Sequence, residues 1–218
     1  MVDAAARLTV RQGIDEWTIR ALAQELGVAQ AVIYHHVGGR SQIVRAVVER
    51  VVAQIPLPAP DLQWREWFGT FLTDVRRVAL HYPGVARHLV ILGPVAGAGR
   101  IIGPGIDVLL EAGFADEAVT IYNYLSNTAL SLIAVEDERN KDQEGRLERA
   151  REIVDLAHGV DGGLSTMKDW LEVRAENIDQ LRASDAYFYR YCVERCLDAA
   201  KARLGVVRRR TSRMTESP

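Results

Sequence analysis

Residues 13–44 read GIDEWTIRALAQELGVAQAVIYHHVGGRSQIV. Thr18 is a good helix N-cap, because its hydroxyl can accept from a free amide of the first turn. Behind it, four apolar residues recur at helical spacing on one face: Ile19, Leu22, Ala23 and Leu26. Gly27 ends this helix, and after two or three residues a short second helix runs to His36 before two glycines break it. The stretch therefore predicts two helices joined by a tight glycine turn.

Helical periodicity continues along the rest of the chain, and strand-like alternation is missing. A first helix is predicted at Val2–Arg11, and another runs from Ser41 through Gln54. IPLPAP (residues 55–60) follows, and its three prolines forbid a continuing helix. Further helices are predicted at Trp64–Tyr82, Gly84–Leu92, Gly105–Ala112, Asp116–Glu138, Gln143–His158, Thr166–Arg182 and Ser184–Leu204. We therefore expect an all-α protein with a first domain at 1–54, a larger one at 61–205 and a disordered tail at 206–218.

Charge is distributed unevenly, although the whole chain carries only −2. Residues 1–54 sum to +1, residues 55–200 to −8 and residues 201–218 to +5. Bulk charge therefore does not predict nucleic-acid binding, and any such hypothesis depends on where particular residues lie. Two cysteines cannot make a disulfide framework, and no apolar run approaches the roughly 18 residues of a membrane span. Since the first residues also lack the features of a secretory signal, we expect a cytoplasmic protein without a membrane partner.

The two helices of residues 18–36, together with the helix before them, are typical of a helix-turn-helix. In this motif the second helix enters the major groove, and residues near helix N-termini contact phosphates. Polar or small residues on its outer side can touch bases, while a phenol, imidazole or guanidinium can reach phosphate oxygens. The residues predicted to contact DNA are Thr18, Arg20, Ala29, Gln30, Ala31, Val32, Tyr34, His35, His36, Arg40 and Ser41.

This motif resembles the DNA-binding domain of the TetR family of regulators. Eight residues match the family pattern in order and spacing: Thr18, Leu22, Ala23, Gly27, Val28, Tyr34, His36 and Arg40. Ala29 departs from it, since relatives usually have Ser or Thr there to cap the recognition helix. The resemblance implies an N-terminal three-helix helix-turn-helix domain followed by a larger helical ligand-binding and dimerisation domain. It implies a repressor that binds palindromic operator DNA as a homodimer and is released by a small-molecule inducer.

Two helices of the larger domain are predicted to form a four-helix dimer bundle with a second copy. One contains residues 121–135, which are apolar around most of the helix, and the other carries a wide face of aromatic and sulfur-containing residues between Tyr187 and Leu197. The alternative is that both belong only to the core of a monomer. Candidate residues for the inducer pocket combine aromatic walls with a few polar groups: Phe68, Phe71, Val75, His88, Leu92, Tyr122 and Ser126. The resemblance places His88 near a ligand-contacting histidine, but a purely structural histidine is favoured by the residues alone.

Other patterns do not indicate catalysis. GAGRIIGPG (residues 97–105) has GxGxxxG spacing, not the dinucleotide-binding GxGxxG, and it is expected to be a flexible connection. No nucleophile–base set or metal-binding HExxH occurs, so we predict no catalytic residue, no metal site, no cofactor and no enzyme activity. Two alternatives stay open: a helical ligand carrier or enzyme with an incidental helix-turn-helix-like hairpin, and a ligand-independent regulator or activator.

Overall fold

The structure is a computed structural model that describes the backbone of residues 1–215 and the side chains of residues 1–209. Within that range the chain forms α-helices and short 3-10 turns without a strand, which confirms the all-α prediction. The helices are α1 (Val2–Gln12), α2 (Ile19–Leu26), α3 (Gln30–Val37), α4 (Arg40–Val52), α5 (Trp64–Leu80), α6 (Val85–Leu92), α7 (Gly99–Ala112), α8 (Ala118–Asn140), α9 (Gln143–Leu156), α10 (Gly163–Arg174) and α11 (Ile178–Thr215).

The first three helices pack with α4 into what we call the reading head, residues 1–52. Helix α1 lies against α2 and α4, and α2 lies against α3. Their facing side chains are almost fully buried: Leu8, Leu22, Ile33, Ile43 and Val47. Between α2 and α3, Gly27 adopts φ 66°, a left-handed conformation that costs glycine little, and its amide bonds back to the end of α2. The predicted helix–turn–helix is therefore present.

The glycine-rich segment is helical, contrary to our expectation of a flexible connection. Helix α7 begins at Gly99, not at Gly105, and includes Pro104 in its interior. A methyl group added at Gly105 would lie 2.6 Å from Cε2 of Tyr122 on α8. The absence of a side chain thus allows α7 and α8 to approach each other closely. Here glycine provides close packing and not flexibility.

The end of the chain also differs from the predicted helices. We expected a boundary near residue 183, but α10 ends at Arg174 and α11 begins at Ile178. Asn177 favours this boundary, because its side-chain oxygen accepts a hydrogen bond from the Gln180 amide at 3.0 Å. Helix α11 continues to Thr215, so the expected disorder does not begin at residue 206; Val207 is buried. Residues 216–218 of the predicted tail lie outside the described residues.

The chain divides into two compact units. The first comprises residues 1–134 and the chain from Val193 onward, and the second comprises residues 135–192. The second unit has a small hydrophobic core that includes Ala150 and Leu171. There the nearly buried Asp185 accepts hydrogen bonds from Arg146 at 2.5 and 2.8 Å, which compensate for the cost of burying its charge.

By length and composition alone, one helical stretch of the described residues, Ala115–Asn140, could cross a membrane. This corrects the expectation that no segment approaches that length. The bent pair Val85–Leu92 and Ala96–Ala112 passes the same test only when taken together, with a 94° bend between its helices. A core helix of a soluble protein has the same composition, so these stretches are weak evidence for a membrane.

Candidate nucleic-acid interface and ligand pocket

Helix α3 presents nearly all of its side chains to solvent. Ile33 is its one buried anchor among eight residues, and it packs into the reading head. The predicted contact residues of the helix are all exposed: Gln30, Ala31, Val32, Tyr34, His35 and His36. Val32 and Tyr34 leave 40% and 52% of their surface in water. An isolated short helix with so little burial is suited to contact a partner surface.

The N-termini of the helices differ in how their free amides are satisfied. Thr18 caps α2, since its Oγ1 accepts from the Ala21 amide at 3.1 Å. At Ala29 no side chain caps α3, which agrees with the absence of Ser or Thr there. Arg20 and Ser41 lie exposed in the first turns of α2 and α4. The start of α3 therefore has no side-chain cap, an arrangement that suits binding of an anion such as a phosphate.

Arg40 turns towards the protein, although the sequence predicted a phosphate contact. Its Nε donates to the carbonyl of Trp17 at 3.1 Å, and its Nη2 donates to the carbonyl of Ile14 at 2.7 Å. The guanidinium also lies 4.8 Å from the centre of the Trp17 ring. Arg40 thus fastens the start of α4 to the loop between α1 and α2, residues 13–18.

Sequence reasoning missed Trp17, whose indole is 1% exposed. Its Nε1 donates to Thr9 Oγ1 at 3.0 Å, and that hydroxyl donates to the Ala5 carbonyl at 2.9 Å. The signal that could have identified it is a large apolar residue directly before a helix N-cap, a position that commonly packs back onto the helix. Trp17 therefore joins the loop to α1 and supports Arg40.

The same loop contacts the turn between α5 and α6. The Ile14 amide donates to the Pro83 carbonyl at 2.9 Å. Asp15 accepts from Arg87 at 2.7 Å, and its other oxygen lies 2.9 Å from Nε2 of His88. His88 is thus engaged by a carboxylate of the reading head.

Titration of Asp15 should affect stability in acid. Burial by itself raises the pKa of Asp15, but hydrogen bonds and charge from His88 and Arg87 outweigh it, so the pKa lies below its ordinary value. A depressed carboxylate pKa stabilises the fold above the unfolded value of about 3.9, and that stabilisation is lost as pH falls through the folded pKa. We expect Asp15→Asn to lower the melting temperature at pH 6, and we expect this deficit to shrink as the pH falls below about 3.9.

Thermal unfolding followed by circular dichroism from pH 6 to pH 3 measures this effect. Asp61→Asn, at an exposed position between the prolines and α5, is the matched control and should parallel the wild type. A constant difference between Asp15→Asn and wild type across the whole range would contradict the assignment.

A pocket of about 100 Å³, here called the central pocket, lies in the first unit. Its walls come from the end of α4, from α5, from α7 and from α8, and include Val52, Phe71, Ile101, Tyr122 and Ser126. Of the seven candidate inducer residues, Phe71, Val75, Tyr122 and Ser126 line it. Phe68 is fully buried with its ring centre 6.2 Å from that of Tyr122.

His88 and Leu92 line a different groove, on the side where α6 faces α4. That groove also includes Arg40 and Ser41. The structure therefore brings four of the predicted pocket residues together and separates His88 and Leu92 from them. Among the described residues no group of three or more His, Cys, Asp or Glu side chains is arranged to hold a metal ion.

Helix α4 connects the two sites. It begins at Arg40, three residues after the exposed helix α3, and Val52 at its end lines the central pocket. Arg100 on α7 donates to the Ala53 carbonyl at 2.6 Å and to the Ile55 carbonyl at 3.3 Å. The carbonyls that follow α4 are thus bonded to the same helix that forms a wall of the pocket.

Comparison with known sequences identifies the first part of the chain. A family model described as bacterial regulatory proteins, tetR family, matches residues 1–47. The tetracycline repressor protein class D of Escherichia coli is 33% identical over 93 residues, which are 41% of this chain. The match spans 43% of that relative, less than half of its length.

Solved structures resemble the chain over a longer range. Apo ActR from Streptomyces coelicolor matches with a TM-score of 0.73 and 20% identity, over 94% of this chain and 96% of that one. ActR in complex with actinorhodin matches with a TM-score of 0.68 and 20% identity, over 91% and 95%. BioQ with its double-stranded DNA operator matches with a TM-score of 0.58 and 21% identity, over 78% and 94%. At these identities the likeness shows a shared fold.

Proposed function

We propose that the chain is a member of the tetR family of bacterial regulatory proteins, whose model matches residues 1–47, and that it is a cytoplasmic repressor that leaves its operator when a small molecule fills the central pocket. The family consists of DNA-binding transcriptional regulators and not of enzymes. The observation that carries the proposal is the exposed helix α3, held by the single buried anchor Ile33.

DNA binding is supported by the chemistry of that helix. Gln30 can form paired hydrogen bonds with adenine, and Val32 can contact a thymine methyl group. Tyr34 and His36 are exposed where a hydroxyl or an imidazole can reach phosphates. BioQ, which shares this fold, has been crystallised with its double-stranded DNA operator, and we propose the same use of the fold here.

A homodimer is supported by exposed apolar residues on the two helices predicted to form the bundle. On α8, Val119 and Tyr124 are exposed. On α11, Tyr187, Phe188 and Tyr191 each leave about half of their surface in water. Burying such aromatic residues is favourable, and two reading heads are needed to contact both halves of a palindromic site. Sedimentation equilibrium should give twice the chain mass of 24.3 kDa.

Control by a ligand is supported by the position of α4 between α3 and the central pocket. Because Val52 lines the pocket, a molecule bound there contacts α4, and α4 directly follows the exposed helix α3. Such coupling is reciprocal, so ligand and operator should weaken each other's binding by the same factor.

The test is selection of operator DNA from a random-sequence pool, followed by fluorescence anisotropy on the selected site. We expect sequence-specific binding that weakens as salt rises, because phosphate contacts release counterions. Tyr34→Ala should weaken binding to selected and unrelated DNA alike, by about tenfold if one phosphate hydrogen bond and its packing are lost. Gln30→Ala should instead relax the preference at one base pair.

Gln63→Ala is the matched control for Gln30→Ala, since Gln63 is exposed before α5 and outside the reading head. It should leave affinity unchanged. If no sequence is enriched and binding does not respond to salt, the repressor proposal is wrong; if Gln30→Ala leaves base preferences unchanged, the contact assigned to Gln30 is wrong.

A further inference from the structure

The central pocket is uncharged. No side chain described on its walls carries a formal charge, and burial raises the pKa of Tyr122, which keeps the phenol neutral. Two basic residues of neighbouring helices are hydrogen-bonded to other groups: Arg100 donates to the Ala53 carbonyl, and His88 lies against Asp15. A charged ligand would therefore lose its hydration without gaining a partner of opposite charge.

One polar atom in this pocket lacks a hydrogen bond of ordinary length and angle. Ser126 Oγ is buried, and the nearby Tyr122 hydroxyl interacts with it without reaching that geometry. Thr128 on the same helix shows the usual alternative, because its hydroxyl donates to the Tyr124 carbonyl at 2.7 Å. A buried hydroxyl without such a hydrogen bond is unfavourable, and a ligand atom placed against it would remove that cost.

The volume of the pocket favours a small ligand. A cavity of about 150 Å³ lined by Leu, Ile and Phe accommodates benzene. The central pocket, at about 100 Å³, is of the same order and has a comparable lining with Phe71, Leu72 and Ile101. Asn123 and Asn127 also line it and are exposed, so they mark its polar rim.

We infer that the central pocket binds an uncharged molecule about the size of a single six-membered ring, with one oxygen that hydrogen-bonds to Ser126. The inference rests on the proposed function, because it specifies the ligand class of the site that would control DNA binding. It excludes a ligand recognised as a metal chelate or through a carboxylate, since the pocket offers neither metal-binding groups nor a cation.

Three probes with the same ring test this class: toluene, phenol and benzoate. They are titrated separately into the full chain at pH 7 by calorimetry. We expect phenol to bind about tenfold more tightly than toluene, the factor that corresponds to one hydrogen bond, and benzoate not to bind. Ser126→Ala should reduce phenol to the affinity of toluene and leave toluene unchanged. Ser131→Ala, at an exposed position on the same helix, is the matched control and should behave like wild type.

The inference is overturned if benzoate binds as well as phenol, if phenol and toluene bind alike to the wild type, or if no probe binds the folded chain at millimolar concentration. Operator affinity is measured in parallel without any probe. If the operator binds but the probes fail, only the inferred ligand class is wrong. If phenol binds in a Ser126-dependent way but no operator binds, the proposed function is wrong and the inferred ligand class is still supported.

Discussion

Trp17→Ala should unfold the reading head and abolish operator binding, at a cost of about 3–5 kcal/mol, the usual range for deleting a buried tryptophan side chain. The indole is almost fully buried, and its Nε1 is hydrogen-bonded to Thr9. Its removal leaves a cavity between α1 and the loop and deprives Arg40 of the ring beneath its guanidinium. Chemical denaturation followed by circular dichroism measures the loss, and anisotropy on the selected operator measures its effect on binding.

Trp170→Ala is the matched control, because Trp170 on α10 is 47% exposed and outside the reading head. Its ring is covered by Arg174, a contact expected to contribute below about 1 kcal/mol. Trp17→Phe should fall between wild type and Trp17→Ala, since it keeps most of the apolar volume and loses the N–H donor. Equal effects of alanine at Trp17 and Trp170 would show that Trp17 does not organise the head.

Arg40→Ala should destabilise the reading head by about 2–3 kcal/mol, because it removes two hydrogen bonds from a charged donor to backbone carbonyls. Both carbonyls, of Ile14 and Trp17, belong to the loop that also contacts the turn before α6. The loss should be visible in denaturation experiments without DNA, which separates this role from a phosphate contact.

Arg40→Lys sharpens the test, since lysine keeps the charge but cannot reproduce the guanidinium geometry. A structural role predicts that lysine is nearly as destabilising as alanine, whereas a phosphate role predicts that lysine retains both stability and DNA affinity. Arg45→Ala is the control: Arg45 is exposed and pairs with Glu49 at 3.5 Å, an interaction worth less than about 1 kcal/mol. Unchanged stability in Arg40→Ala would contradict our assignment.

The local elements of the reading head could be predicted because each signal is short-range. Helix α2 and its turn are specified by three local features: a cap at Thr18, a left-handed turn at Gly27 and the apolar spacing between them. None of these depends on the rest of the chain. The missing cap at Ala29 could be predicted for the same reason. Helix α3 is exposed because Ile33 is its one buried residue.

What could not be predicted depends on contacts between distant residues. The direction of the Arg40 side chain is determined by two carbonyls more than twenty positions earlier. In the same way, His88 lies against Asp15, 73 positions away. It is therefore outside the pocket in which the family resemblance placed it. The helix at residues 99–105 depends on how closely Gly105 approaches Tyr122, which no local pattern of glycines reveals.

The length of helix α4 has a consequence for the proposed control by a ligand. With 13 residues from Arg40 to Val52, the helix is about 20 Å long at the usual rise per residue. A tilt of about 5° around its pocket end would therefore move its other end by about 1.7 Å at that helical rise. Hydrogen bonds tolerate only a few tenths of an ångström, so a displacement of that size would break contacts with bases. Under the proposed function, a ligand that tilts α4 by a few degrees would therefore be enough to displace the residues beside α3.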